Sequence, residues 1–138
     1  MTELSIELTD DRTGFAPGEE IRGTITWSTE TPGEKIELRL FWFTRGKGTA
    51  DASIVETIPF NQPSPHETRP FRFVLPAGPY SFSGQLVSLV WALELVASAS
   101  KTVVRREIEV GPDRREVRLE SVASKVSAAK SWLTIKTG

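Results

Sequence analysis

Short segments in which apolar and polar residues alternate run through most of the chain, and this pattern limits its fold more than any other feature. In residues 4–8, for example, Leu4, Ile6 and Leu8 alternate with Ser5 and Glu7. A period of two with one polar face is typical of a half-buried strand. Further segments of this kind lie at 20–28, 36–43, 53–58, 71–75, 87–96 and 102–110, separated by turn signals such as Pro17-Gly18, Pro32-Gly33 and Gly111-Pro112. Because no amphipathic helix separates these segments, the pattern predicts an all-β protein, an antiparallel β-sandwich of seven or eight strands.

The last part of the chain differs in character from the alternating segments. The chain has 138 residues, and alanine, serine and lysine become frequent after Gly111-Pro112. We therefore expect a β-sandwich domain over 1–112 and a C-terminal extension over 113–138. The extension is predicted to be helical, since Val122, Val126, Ala129 and Leu133 have the spacing of an amphipathic helix. A short strand over residues 132–135 is the competing interpretation.

The composition excludes several classes of function. The chain has no cysteine and one histidine, His66, so disulfides, thiol catalysis, cysteine-ligated zinc and histidine-rich metal sites are excluded. No Gly-x-Ser-x-Gly motif accompanies His66. We therefore expect no enzyme activity, no cofactor and no metal. The formal net charge of -1 argues against a nucleic-acid module.

The sequence contains no segment with the composition of a membrane anchor or an export signal. The first ten residues lack the basic and apolar regions of a secretory signal. The longest mostly apolar stretch, 86–99, contains Glu94 and is too short to cross a bilayer, which takes about 20 apolar residues. We expect a cytoplasmic chain that does not insert into membranes.

Basic residues cluster toward the end of the sandwich, at Lys101, Arg105, Arg106, Arg114 and Arg115. Acidic residues interleave with them along the same stretch of sequence. The pattern favours an ion-paired strand surface, while binding of an anion or a phosphopeptide stays open.

Gly23 lies inside an alternating segment, where a glycine costs stability. It shares a face with Ile21, Ile25 and Trp27. We expect a bulge at this position, or the close approach of backbone or of a bulky ring.

Four motifs, in this order along the first 112 residues, are similar to motifs of the arrestin N-like domain. They are FAPGEEIRG at 15–23, FRFVLP at 71–76, GPYSFSG at 78–84 and LVWAL at 89–93. The resemblance implies an immunoglobulin-like β-sandwich without a cofactor, which works as an adaptor or scaffold. The chain departs from the family's usual pair of domains, and neither a phosphate-sensing polar core nor a PPxY motif can be placed on it. Receptor regulation and cargo sorting therefore do not carry over.

Two strand segments carry apolar residues on both faces. Phe41 and Phe43 lie opposite Leu40 and Trp42. In the other segment, Val90, Ala92 and Val96 lie opposite Leu89, Trp91 and Leu95. A sheet face exposed to water should not have this composition. We expect the C-terminal extension to dock on this face, or a protein partner or a second copy of the chain to bind it, and the candidate protein-binding residues are Phe41, Phe43 and Trp132.

The sequence thus predicts a non-catalytic protein–protein interaction module. Carbohydrate or small-ligand binding is the alternative, because the chain has four tryptophans that could stack on a sugar ring. Trp27, Trp42 and Trp91 fall on the inward faces of their strands, which favours a role in the core, whereas Trp132 lies in the extension.

Overall fold

The computed structural model describes residues 2–46, 51–61, 64–84 and 86–118. These residues form ten strands and one 3-10 helix, which spans Thr9–Asp11. The strands are β1 (Glu3–Leu8), β2 (Gly14–Phe15), β3 (Glu20–Ser28), β4 (Ile36–Gly46), β5 (Ala52–Phe60), β6 (His66–Val74), β7 (Phe82–Ser83), β8 (Val87–Ala97), β9 (Thr102–Val110) and β10 (Val117–Arg118). Seven of these strands have six or more residues, and the other three have two residues each. The prediction of an all-β sandwich is confirmed.

The strands form two sheets that pack face to face. The small sheet has the order β1-β3-β6 and is antiparallel throughout. The large sheet has seven strands, with the order β10-β7-β8-β4-β5, and β9 pairs with β8 while β2 pairs with β9. Two short pairs, β2 with β9 and β10 with β7, are parallel. They attach residues 14–15 and residues 117–118 to the large sheet.

The core lies between the inner faces of the two sheets. It is formed by the alternating apolar residues that the sequence pattern marks, and the largest fully buried side chains include Trp27, Trp91, Phe15, Phe73 and Leu38. Complete burial of an aliphatic or aromatic side chain of this size stabilises a fold by roughly 1.5–3 kcal/mol. Each buried indole also donates a hydrogen bond, from Trp27 Nε1 to the Ser64 carbonyl at 2.7 Å and from Trp91 Nε1 to the Pro79 carbonyl at 2.8 Å. The polar edge of each ring is therefore satisfied inside the apolar core.

The pairing of β4 with β8 is the longest in the molecule among the described residues. It runs without interruption from the Ile36–Ala97 pair to the Gly46–Val87 pair. Leu38 and Leu40 face Leu95 and Leu93 on the inner side of this ladder, and these four side chains are fully buried. The two central strands of the large sheet are thus held both by backbone hydrogen bonds and by the core.

Gly23 makes room for an aromatic ring, as one of the sequence-based expectations stated. It lies opposite Phe71 in the pairing of β3 with β6. A Cβ atom at position 23 would lie 2.9 Å from two ring carbons of Phe71 and would also collide with the Glu7 carbonyl oxygen. The ring fills the space that a side chain would take, so the glycine is required by packing rather than by its backbone angles.

A buried carboxylate joins two loops at one end of the sandwich. Glu34, in the loop between β3 and β4, is only 4% exposed. Its carboxylate accepts hydrogen bonds from the backbone N–H groups of Ala99 at 2.6 Å and Ser100 at 3.2 Å, in the turn between β8 and β9. Two amide donors satisfy the buried charge, which would otherwise destabilise the fold.

The chain remains attached to the large sheet beyond residue 112. The backbone N–H of Val117 donates to the Ser81 carbonyl at 2.8 Å, and Val117 packs against the core. Residues 119–138, which contain the helix predicted from Val122, Val126, Ala129 and Leu133, lie outside the described residues. A domain boundary at 112 stays a prediction, and the contacts of Val117 place the first residues of the extension on the sandwich.

Substitution of Gly23 by alanine should destabilise the protein, although glycine-to-alanine changes in strands usually stabilise them. We expect the free energy of unfolding to fall by about 1–3 kcal/mol, the usual cost of overpacking, because the ring of Phe71 and the Glu7 carbonyl cannot both move away. Urea unfolding measures the change. Thr24→Ala, at the next position of β3, is the control and should have a smaller effect. A Gly23→Ala protein as stable as the wild type would contradict this account.

Candidate functional site

The outer face of the large sheet, turned away from the core, is the surface on which the sequence placed its candidate residues. In the ladder of β4 with β8, Phe41 lies opposite Ala92 and Phe43 opposite Val90. Ile54 of β5 lies opposite Phe41 on the other side. An apolar strip therefore crosses three neighbouring strands, and we call it, together with the charged residues of β4, β8 and β9 on the same side, the outer face.

Two stacked phenylalanines and two arginines form the centre of the outer face. The rings of Phe41 and Phe43 have centroids 5.7 Å apart and an interplanar angle of 24°. The guanidinium carbon of Arg105 lies 5.1 Å from the Phe41 ring centroid and 4.9 Å from that of Phe43. Arg45 adds a contact of 5.3 Å to Phe43. A cation over an aromatic ring contributes about 0.5–1 kcal/mol at an exposed site, so the arginines cover the rings favourably and leave a surface that is both apolar and charged.

Ion pairs hold these arginines in place. Arg105 donates to the Glu94 carboxylate at 3.0 Å, and Arg39 approaches the same carboxylate at 3.7 Å. Arg45 pairs with Glu107 of β9 at 2.9 Å. Because each pair joins different strands, the register of β4, β8 and β9 fixes where the cationic groups lie over the rings.

The structure describes two of the three candidate residues. Phe41 is 8% exposed, since it is covered on the outer face, while Phe43 is half-buried. Trp132 lies outside the described residues. Of the other outer-face residues that the sequence marked, Ala92 is fully buried, and Val90 and Val96 are partly exposed. The apolar residues expected on a second face of the sheet, away from the core, therefore lie on the outer face. Arginines cover part of this apolar surface.

Sequence reasoning missed two exposed apolar residues of β5 near this surface. Ile54 is 59% exposed and Val55 is 39% exposed, and both belong to β5, whose alternation is weak. A register shift in β5 between the partners of Leu40 and Phe41 breaks the period of two at this point. The available signal was the Ile54-Val55 pair itself, because two adjacent apolar residues in an edge strand cannot both face a core.

The tryptophans belong mainly to the core. Trp27 and Trp91 are buried, and Trp42 is half-buried and packs against the core from the inner face. Within the described residues, these three rings do not form the exposed, coplanar platform that a sugar-stacking site needs.

The basic cluster predicted from the sequence is dispersed by the fold. Arg105 belongs to the outer face, whereas Arg106 donates to the Ile6 carbonyl at 3.3 Å on the opposite side of β9. Arg114 binds Glu19 with two hydrogen bonds, at 2.9 and 2.6 Å, and Lys101 and Arg115 are exposed. The interpretation as an ion-paired surface describes Arg105 and Arg114.

Glu19 is the centre of a charged cluster that includes Arg12 and Arg114. Its carboxylate also accepts hydrogen bonds from the Ala16 backbone N–H and from Arg12, each at 2.6 Å. The hydrogen bonds from Arg114 and Ala16 and the charges of Arg12 and Arg114 lower the pKa of Glu19 to about 2. This carboxylate connects the turn before β3 to the segment that follows β9.

Among the described residues, no group of three or more His, Asp or Glu side chains is placed to hold a metal ion. No described helix is long and apolar enough to span a membrane.

Comparison with solved structures supports an arrestin-like β-sandwich fold. Spo0M, a sporulation control protein from Bacillus subtilis, aligns with 97% of this chain at a TM-score of 0.56 and 18% sequence identity. The aligned region is 55% of the Spo0M chain, so this protein spans about half the length of that neighbour. A β-glucosidase from Listeria innocua aligns with 80% of this chain and 16% of its own at a TM-score of 0.43 and 17% identity, a likeness too low to support any inference. No family model and no curated protein matches the chain.

The Glu19 cluster should make stability depend on pH in the acidic range. Because the pKa of Glu19 in the folded protein is about 2, below the ordinary 4.5, its charge stabilises the fold above pH 4.5, and this contribution disappears as the pH falls toward 2. We expect Glu19→Gln to be less stable than the wild type at neutral pH and the difference in free energy of unfolding to shrink between pH 4.5 and pH 2. Urea unfolding over a pH series measures it. Glu3→Gln, on the exposed side of β1, serves as the control, and a Glu19→Gln difference that does not change with pH would contradict the assignment.

Proposed function

We propose that this protein is a non-catalytic protein–protein interaction module of adaptor or scaffold type, whose contact surface is the outer face of the large sheet. The observation that carries the proposal is the cluster of Phe41, Phe43 and Arg105 beside the exposed Ile54. Aromatic residues and arginine are enriched among the residues that dominate the affinity of protein interfaces. An arginine stacked on aromatic rings already has its side chain ordered, so binding through it costs less conformational entropy.

The contrast between the two outer surfaces of the sandwich supports this choice. On the small sheet, the residues turned to solvent are mainly polar, and Thr26 and Thr68 of neighbouring strands share a hydrogen bond at 3.1 Å. Arg22 and Arg72 lie opposite each other on the same surface and both approach Glu20. A sheet face in water normally has this composition. The apolar strip on the large sheet departs from it and needs another explanation.

The fold comparison is in keeping with a regulatory or adaptor role. Spo0M is named a sporulation control protein, and its likeness to this chain concerns the fold alone. The chemistry of the outer face defines the protein partner as a surface that offers apolar or aromatic side chains to Phe43 and Ile54 and polar groups to the ion pairs Arg45–Glu107 and Arg105–Glu94.

The alternative function, binding of a carbohydrate or another small ligand, has weaker support. It depends on exposed aromatic rings, and Trp27 and Trp91 are part of the core. The stacked pair of Phe41 and Phe43 offers little flat aromatic surface, because Phe41 is only 8% exposed and Arg105 lies over both rings.

A substitution on the outer face should abolish partner binding without unfolding the protein. We expect Phe43→Ser/Ile54→Asp to lose at least tenfold in the amount of specific partner captured from an extract of the native cells, because the apolar strip is broken by a charge. Quantitative mass spectrometry of affinity-captured proteins measures the loss, and far-UV circular dichroism with thermal unfolding verifies the fold.

The matched control is Val74→Asp, which places the same charge on a residue of similar exposure, 53%, at the end of β6 in the small sheet. It should capture the same proteins as the wild type. The proposal is wrong if both variants retain the wild-type set of captured proteins, or if both lose it equally.

A further inference from the structure

The sandwich is closed on one side and open on the other. On the closed side, β1 of the small sheet lies beside β9 of the large sheet, and Arg106 donates across the gap to the Ile6 carbonyl. On the open side, β5 and β6 are the last strands of their sheets, and no described strand pairs with their outer edges. Each edge therefore presents unpaired backbone N–H and C=O groups to solvent along a nine-residue strand.

The edge of the small sheet carries charges that point inward. Glu67 lies opposite Trp27 and Arg69 lies opposite Ile25, so both side chains are on the core side of β6. They form an ion pair with each other at the mouth of the open side. The same strand contains Pro70, which has no N–H to give to an added strand. A strand that paired with β6 would bury the Glu67–Arg69 pair away from water, at a cost in desolvation.

The edge of the large sheet repeats these features with different residues. Glu56 lies opposite the fully buried Leu40, so its charged side chain is also on the inner side of an edge strand. Pro59 removes an N–H from the same strand. The register shift between the partners of Leu40 and Phe41 interrupts the regular ladder beside Glu56. Inward charges, prolines and bulges are the means by which natural proteins prevent their sheet edges from pairing.

We infer that the open side of this sandwich is built against strand addition, so that neither a partner nor a second copy of the chain extends either sheet there. The two edges carry the same kinds of obstacle although their sequences are unrelated. Each edge has its own inward charge and its own proline, so each sheet is protected separately. A binding partner then reaches the molecule through side-chain contacts on a sheet face. This last consequence rests on the proposed function, whereas the inference about the edges stands without it.

Removing the obstacles from β5 should turn a monomer into an associating protein. We expect the wild type to have the mass of one chain in size-exclusion chromatography with light scattering, and Glu56→Val/Pro59→Val to have at least twice that mass. Both replacements favour strand structure, so the variant should keep its fold, which circular dichroism verifies. Adding Thr57→Lys to the variant returns a charge to the opened edge and should restore the monomer.

The matched control is Glu7→Val/Thr24→Val, which places the same number of apolar residues on the solvent face of the small sheet, away from both open edges. It should stay monomeric. The inference is overturned if the opened variant stays monomeric, if the control associates to the same extent, or if the wild type already associates and Thr57→Lys alone separates it. These outcomes are independent of the capture experiment with Phe43→Ser/Ile54→Asp, since that variant leaves the charge and the proline of β5 in place.

Discussion

The ladder between β4 and β8 is the interaction on which the rest of the molecule depends. Its inner side supplies the leucines and Trp91 that meet the small sheet, and its outer side supplies Phe41 and Phe43. Both surfaces follow from one register, because a shift by one residue would exchange the two sets of side chains between core and solvent. Strand β9, which pairs with β8, then places Arg105 over the aromatic rings and Glu107 beside Arg45. The core and the proposed contact surface are two faces of the same pair of strands.

Most of the fold could be predicted from the sequence because the alternation of side chains reports directly on strands that have one buried face. The segments at 20–28 and 102–110 agree with β3 and β9. The two-residue strands β2, β7 and β10 were not predictable, since so short a strand has no period and its pairing depends on distant segments. β6 begins at His66 rather than at residue 71, because the first half of this edge strand carries charged residues on its inner side. The inward charged residues that make an edge strand resist pairing also remove the alternating pattern from its sequence.

The candidate surface could be predicted only in part. The apolar residues at 41 and 43 are visible in the sequence because they break the expected polar face of a strand. The position of Arg105 over both rings is not visible, since it depends on the joint register of β4, β8 and β9, and β4 is far from the other two strands along the chain. Ile54 escaped notice because the irregular pairing of β5 hides its direction. In each case the missing information is the lateral alignment of strands, which no local pattern records.

The contact of Glu34 with the turn between β8 and β9 sets a limit on how this chain can vary. Exposed turns between strands usually tolerate insertions, and they are the favoured sites for loop grafts and split-protein designs. Here an added residue would displace the amides of Ala99 or Ser100 from a carboxylate that has little access to water. The turn between β8 and β9 lies at the surface, yet its length is restricted in the way that the volume of a core side chain is restricted. Homologues and engineered versions should vary in length at other loops and keep this turn and the acidic residue together.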